Sequence, residues 1–261
     1  MRIIFVRHGE PDYSTDSLTE KGKRDAEILA GRIKNWNIKD IYVSPMGRAK
    51  DTAKPSLDAL NMEAIEMPWL REFSYKITSP ISGKQGVPWD FVPSYLYSDE
   101  RFVSGEEWIN VSPICDNEDI VKNYPIVKDG IDKIIEKYGY KRTGKYYTRM
   151  DGRERFLKST VMDSKYATVD SFPEDDSEPT IVIFCHLGVI CLMLSHLLNI
   201  PFELLTHGFF IPTTSLTILN TEERWGTEVS FRTQAVGDVA HLLMEGEKIS
   251  NAGSFARVFQ Q

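Results

Sequence analysis

Apolar and polar positions along this chain repeat with two different periods. Short apolar or β-branched runs, each bounded by polar or turn residues, predict buried strands over Ile3–Val6, Ile41–Ser44, Glu63–Met67, Thr180–Phe184 and Ser215–Leu219. A sixth run, Val229–Ala235, follows the last of these across NTEERWGTE and predicts a hairpin at a sheet edge. Between the strands the period lengthens to that of a helix. In SLTEKGKRDAEILAGRIKNW, Ala26, Leu29, Ala30 and Ile33 fall on one face, and Ser17 with Glu20 reads as a capping box. SPMGRAKDTAKPSLDAL opens with Ser44 as a helix cap and Pro45 at the first helical position. GVICLMLSHLL is apolar nearly all round and predicts a buried helix. The alternation predicts an α/β fold, a three-layer sandwich with a mostly parallel central sheet and helices on both faces.

From Phe73 to Pro179 this rhythm stops. No clear strand is visible, tyrosine and tryptophan accumulate, and helical stretches are predicted at Glu118–Tyr138 and Arg153–Met162. The basic run Lys141–Lys158 reads as a solvated face, with steering of an anionic substrate or docking of a partner as alternatives. VDSFPEDDSEP reads as an exposed acidic linker. The domain reading is therefore a core built from 1–72 and 180–261, with a large cap inserted over 73–179. The aromatics of that segment read mainly as the cap's own core, with some lining a substrate entrance.

Composition narrows the class. The chain has 261 residues, 41% hydrophobic and 26% charged, as expected of a globular domain able to bury a sizeable core. A net charge of −7 disfavours nucleic acid as a partner and requires any bound anion to sit in a local positive pocket. Cys115, Cys185 and Cys191 show no CxxC spacing, which points away from zinc and disulfides and toward a reducing, cytoplasmic setting. Apolar runs fall short of the roughly 18 residues of a membrane span, and Met1–Val6 is too short for a signal peptide, so no membrane association is expected.

The candidate chemistry falls at one edge of the predicted sheet. Arg7 and His8 follow the first strand, Arg48 lies in the helix after the second, Glu72 follows the third and His186 the fourth. Ligands of open parallel sheets bind at the carboxyl ends of the strands, where all five converge. Two guanidinium groups suit the oxygens of a phosphate monoester. A neutral imidazole, with an ordinary pKa of about 6.5, is a competent nucleophile toward phosphorus. A second imidazole, if protonated, adds charge stabilisation, and a carboxylic acid with a raised pKa can protonate the leaving oxygen and later activate water. Helix N-termini after Arg48 and His186 add backbone donors, and the arginines supply the positive charge that a metal supplies elsewhere, so no metal or cofactor is called for. Gly9 lets the backbone turn tightly beside His8. Cys185 reads as an inert buried thiol. His196, His207 and His241 read as structural.

The blocks RHGE, LTEKG, SPMGRAKDTA, LREF, CHLG and GDVAHL occur here in the order of the histidine phosphatase superfamily, the phosphoglycerate mutase-like fold, which the chain resembles over 1–72 and 180–261. The resemblance implies that His8 is the phosphorylated histidine. It implies that Arg7, Arg48 and His186 complete the phosphate pocket and that Glu72 is the proton donor, with Glu10 as a rival. It further implies a small polar phosphate contact at Ser14 and a backbone contact at the amide of Leu187. The chain departs from the family's pattern at Leu187-Gly188, where relatives usually have two glycines, and in PTTSL, which lacks a frequent asparagine.

The reading that follows is a phosphatase of the histidine acid type, acting on a small organic phosphate through a phosphohistidine on His8. A cofactor-dependent phosphoglycerate mutase and a non-catalytic phospho-ligand binding module stand as alternatives. Tyr13-Ser14 replaces the Trp-Asn pair of the mutases, which favours the phosphatase branch. The expected partner is a small phosphorylated substrate, and the predicted edge hairpin can support a homodimer.

Overall fold

Eight segments of the computed structural model, which describes residues 1–153, 155–156, 178–223 and 225–260, pair into one sheet. They are β1 (Arg2–Arg7), β2 (Ile38–Val43), β3 (Ala64–Glu66), β4 (Tyr140–Thr143), β5 (Tyr146–Arg149), β6 (Thr180–Cys185), β7 (Leu216–Glu223) and β8 (Glu228–Asp238). Their order across the sheet is β3-β2-β6-β1-β7-β8-β5-β4. The first four run parallel. β7 joins β1 antiparallel and opens an antiparallel half that continues through β8, β5 and β4.

The parallel strands are apolar on both faces because helices cover both. On one side Ile4, Val6, Ile41, Val43, Val182 and Phe184 meet α1 (Glu20–Ile33) and α2 (Gly47–Leu60) through Leu29, Ile33, Ala49 and Ala53. On the other, Ile3, Phe5, Ile181 and Ile183 meet α3 (Glu118–Lys137) and α4 (Leu187–Leu198). Alternate residues of β1 thus serve two cores, which is the period-2 geometry of a strand. The side of α3 and α4 also takes up Phe91, Phe102 and Trp108 from the segment after Phe73, where short helical turns such as Pro88–Asp90 precede α3. Two further helices, α5 (Phe202–Gly208) and α6 (Ala240–Met244), follow α4 and β8 respectively. No helix among the described residues is long and apolar enough to cross a membrane.

Three local expectations are corrected. Ser17 does not cap α1; it pairs with Asp12 in a short antiparallel ladder, and Thr19 caps instead by accepting from the Gly22 amide at 3.1 Å. Ser44 does not cap α2, which begins at Gly47; its own amide continues the β2 ladder by donating to Phe184. The hairpin containing Val229–Ala235 is not the sheet edge, because β8 pairs outward through Glu228 with Thr148 and Val229 with Tyr147. The true edge is the β5–β4 hairpin, inside the segment with no visible strand. Only Tyr140 and Tyr147 of it are buried, so its basic residues mask the alternation. Arg142 and Arg149 of the basic run are engaged, the first on the His196 carbonyl at 3.0 Å and the second on Glu223 and Asp151. The predicted helix over 153–162 and the linker over 169–179 lie almost wholly outside the described residues.

Candidate active site

β1 and β6 end in register, Arg7 beside Cys185, and the His8 amide donates to the Cys185 carbonyl at 2.9 Å. The chain then leaves β6 through His186, the residue that opens α4. This brings the two imidazoles together, with ring centroids 5.1 Å apart and planes tilted by 55°. His8 is 2% exposed, His186 0%, Arg7 3% and Arg48 6%. Four polar side chains this deep at one strand edge require specific partners.

His8 Nδ1 lies 2.7 Å from the Gly9 carbonyl and must donate to it, which leaves the lone pair on Nε2. His186 Nε2 shares a hydrogen bond with Ser44 Oγ at 2.8 Å. The hydroxyl read as a helix cap is therefore a site residue. Gly9 has no left-handed backbone; it is needed for close approach instead. A Cβ there would stand 2.9 Å from the Gly22 carbonyl of α1. The Gly9 amide donates to Thr52 Oγ1 at 2.8 Å, and that hydroxyl donates to the Arg48 carbonyl at 2.7 Å, so α2 holds the turn after β1.

The two arginines are fixed by different devices. Arg7 donates to the Ile211 carbonyl at 2.6 Å and the Ala252 carbonyl at 3.1 Å. Arg48 donates to Asp16 Oδ1 at 2.5 Å, while Asp16 Oδ2 accepts from the Gly47 amide at 2.8 Å. The Tyr13 ring lies 5.6 Å from the Arg48 guanidinium. The Nε atoms of both arginines are buried without a hydrogen bond, as is His186 Nδ1. The cluster thus retains donor capacity that its own side chains do not consume.

Glu72 sits where the turn after β3 meets the start of α4. Its Oε1 accepts from the amides of Phe73 and Gly188, both at 2.9 Å. Gly188 tolerates no side chain, since a Cβ would stand 2.8 Å from that oxygen and 2.8 Å from the Trp89 ring. Burial raises the carboxyl pKa, and the charges of Arg7 and Arg48 and the two amide bonds oppose the rise without cancelling it. The rival Glu10 has both oxygens engaged, one by Thr19 Oγ1 at 3.0 Å and the other by Ser250 Oγ at 2.6 Å.

Both histidines are held neutral. Burial, then the Arg7 charge, lowers the His8 pKa to about 3, against a small opposing effect of the Gly9 carbonyl. Burial, followed by His8, Arg48, Arg7 and Arg71, lowers that of His186 still further. Burial first, and then the neighbouring groups, disfavours the protonated second imidazole envisaged from sequence. Cys185 and Cys191 are buried, with thiol pKa values pushed up by burial, Cys191 to about 12. Neither thiol is placed for nucleophilic work.

The structure brings Arg7, His8, Arg48, Glu72 and His186 together. Ser14 lies outside this group, exposed, with its hydroxyl donating to Asp12 Oδ1 at 2.6 Å. Leu187 takes the first position of α4 and turns its side chain against the apolar core instead of into the loop. Sequence reasoning missed Ser44, Asp16, Thr52, Arg71 and Trp89. Ser44 and Thr52 lie within SPMGRAKDTA and Arg71 within LREF, so the motifs themselves could have flagged these three. His196 bonds Asp132 at 3.0 Å and His241 lies 3.3 Å from Arg32, both away from the cluster. Among the described residues no group of three or more His, Cys, Asp or Glu side chains is placed to hold a metal ion.

Known proteins share this arrangement of elements. The model of the histidine phosphatase superfamily (branch 1) matches residues 3–83, the stretch that carries Arg7, His8, Arg48 and Glu72. A 2,3-bisphosphoglycerate-dependent phosphoglycerate mutase of Thermoplasma acidophilum is 39% identical over 72 residues, which are 24% of this chain and 36% of that protein. The chain thus spans little more than a third of the length of that curated relative. Among solved structures, a phosphoserine phosphatase of Entamoeba histolytica in complex with 3-phosphoglyceric acid aligns over 92% of this chain and 98% of its own, at 16% identity and a TM-score of 0.52. A mycobacterial glucosyl-3-phosphoglycerate phosphatase aligns over 90% and 98%, at 16% identity and a TM-score of 0.53. These two likenesses are of fold. The family resemblance itself is shown over residues 3–83, the stretch that delivers Arg7, His8, Arg48 and Glu72.

Proposed function

We propose that the chain is a phosphomonoester hydrolase that works through a phosphohistidine on His8 and needs no metal. One observation carries the reading: His8 Nδ1 is pinned to the Gly9 carbonyl, which leaves Nε2 as the free lone pair of a buried imidazole that feels the charges of Arg7 and Arg48. Arg7 and Arg48 hold the non-bridging oxygens of the substrate. Nε2 attacks phosphorus, the ester P–O bond breaks, and the protonated carboxyl of Glu72 gives its proton to the leaving alcohol oxygen. Water then attacks phosphorus, Glu72 takes its proton, the P–N bond breaks and orthophosphate leaves. His186, hydrogen-bonded to Ser44 and 5.1 Å from the His8 ring, supports the transferring group. The amide of Leu187, at the start of α4, adds a backbone donor. Ser14, on the exposed loop before α1, serves as a further phosphate contact.

On this reading residues 1–72 and 180–261 supply the phosphotransfer groups, α3, β4 and β5 of the inserted segment complete the core around them, and the stretch from Phe73 to the start of α3 is the part that caps the site and selects the substrate. The free thiols of Cys115, Cys185 and Cys191 are in keeping with a cytoplasmic setting. A mutase reading is favoured by one observation, the 39% identity to a phosphoglycerate mutase over 72 residues. Phosphate release from a panel of phosphomonoesters, measured in EDTA for wild type and His8→Ala, separates the readings. Release by wild type alone is the expected result. Release by neither, with phosphate exchange between substrates in the presence of a bisphosphate primer, would replace the hydrolase by a mutase.

A further inference from the structure

Trp89 belongs to the turn Pro88–Asp90, far from every motif of the site, yet its ring reaches the site's edge. Its Cη2 and Cζ3 atoms lie 2.8 and 3.1 Å from the point where a Gly188 Cβ would stand, and Glu72 Oε1 lies 2.8 Å from that same point. The indole edge and the carboxyl therefore press on one face of Gly188 side by side. The ring is half-buried, so part of it faces outward. Behind it stands an aromatic stack. Trp89 meets Phe202 edge-on at 6.2 Å, and Phe202 stacks on Trp108 at 4.7 Å and meets Phe73 edge-on at 6.3 Å. A ring braced in this way is a preorganised apolar wall. When Glu72 protonates the leaving oxygen, the carbon skeleton attached to that oxygen lies beside this carboxyl, and the indole edge is a neighbour of the same carboxyl.

We propose that Trp89 is the specificity-determining residue for the leaving group, and that the preferred substrates are phosphomonoesters whose alcohol presents an aromatic or similarly flat apolar face beside the phosphate. The proposal rests on the assignment of Glu72 to the leaving-group side. Aromatic pairs prefer edge-to-face or offset contacts at the distances already seen around Trp89, so an aryl group gains by joining the stack whereas a small aliphatic group gains little.

Non-hydrolysable phosphonates test this without turnover. Affinities of phenylphosphonate and methylphosphonate are measured by calorimetry for wild type, Trp89→Phe and Trp89→Ala. The expected result is a preference of wild type for phenylphosphonate that falls about fivefold in Trp89→Ala and is largely kept in Trp89→Phe, with methylphosphonate affinity unchanged throughout. Equal affinities in wild type, or a parallel loss of both ligands in Trp89→Ala, would overturn the proposal while leaving the phosphate pocket standing. Failure of both phosphonates to bind would overturn the proposal and the pocket together. Binding in the expected order by a chain that releases no phosphate would sink the hydrolase reading alone.

Discussion

Glu72 and Gly188 are joined by a hydrogen bond, 2.9 Å from the amide to Oε1, that ties the turn after β3 to the first turn of α4. The bond fixes a half-buried carboxyl beside the Arg7–His8–His186 cluster through Oε1 alone. It also explains why the second residue after His186 is glycine although the first is leucine. Leu187 turns away into the core, whereas a side chain at 188 would collide with both the carboxyl and Trp89.

A carboxyl with a raised pKa donates its proton only below that pKa. The sign is set by burial outweighing two nearby guanidinium charges. Hydrolysis is therefore expected to decline on the basic side, at a pH above the ordinary carboxylate range. Glu72→Gln keeps the acceptor for the Gly188 amide but cannot transfer a proton. We expect kcat to fall by about 100-fold and the basic limb to vanish from the pH–rate profile. A variant with the wild-type profile would remove Glu72 from the proton-transfer role.

Asp16 organises Arg48. It bridges the guanidinium and the Gly47 amide, and its backbone packs so closely on Gly47 that a Cβ there would stand 2.2 Å from the Asp16 carbonyl. Asp16→Ala should free the arginine and weaken orthophosphate inhibition about threefold to tenfold, with a smaller change in kcat. Asp16→Asn, which keeps the bond to Gly47, should fall between. Tighter orthophosphate binding in Asp16→Ala would show instead that the carboxylate competes for the arginine.

The depressed histidines make acid stability a second readout. His8 stays neutral in the folded chain down to about pH 3, while the unfolded chain takes up a proton near its ordinary value of about 6.5. The unfolded state then binds more protons between these values, so stability is complete above about pH 6.5 and falls as pH drops toward 3. His8 alone contributes a slope of up to about 1.4 kcal/mol per pH unit. His186 acts in the same direction. Urea midpoints of wild type and His8→Ala, compared from pH 7 to 5, should converge as pH falls. Midpoints that track in parallel would contradict the burial argument.

Glu203 carries the opposite sign. It is wholly buried in α5, neither carboxyl oxygen has a hydrogen bond, and burial pushes its pKa up to about 8. The folded chain holds that proton through a range in which the unfolded chain has released it, so stability is lost as pH rises from about 4.5 through 8. Glu203→Gln should therefore gain on wild type as pH increases, measured as the difference in thermal midpoint at pH 5 and pH 8. A constant difference would mean that the carboxyl is already ionised in the folded protein.

Much of the candidate site's side-chain cluster was legible because strands that end in charged residues are unusual. The apolar runs before Arg7-His8 and before His186 mark both where the sheet is buried and where it delivers polar groups. The β4–β5 hairpin was not legible, because tyrosines, lysines and arginines conceal an alternation that buries only Tyr140 and Tyr147. Ser44 was misread since a serine before a proline fits a helix cap as well as a histidine partner, and only the β2–β6 register decides between them. Trp89 was invisible for a different reason. Its meeting with Gly188 joins residues distant in sequence, and neither residue alone carries a pattern.

The most direct test of the account is the covalent state of His8. The protein is mixed briefly with a phosphomonoester that it turns over, quenched without acid and weighed intact, with peptide mapping to place any added group. The account predicts one phosphoryl group per chain, on His8, absent from His8→Ala and from chains left until the substrate is exhausted before quenching. Steady turnover with no phosphoryl group on His8, or turnover that survives His8→Ala, would contradict it.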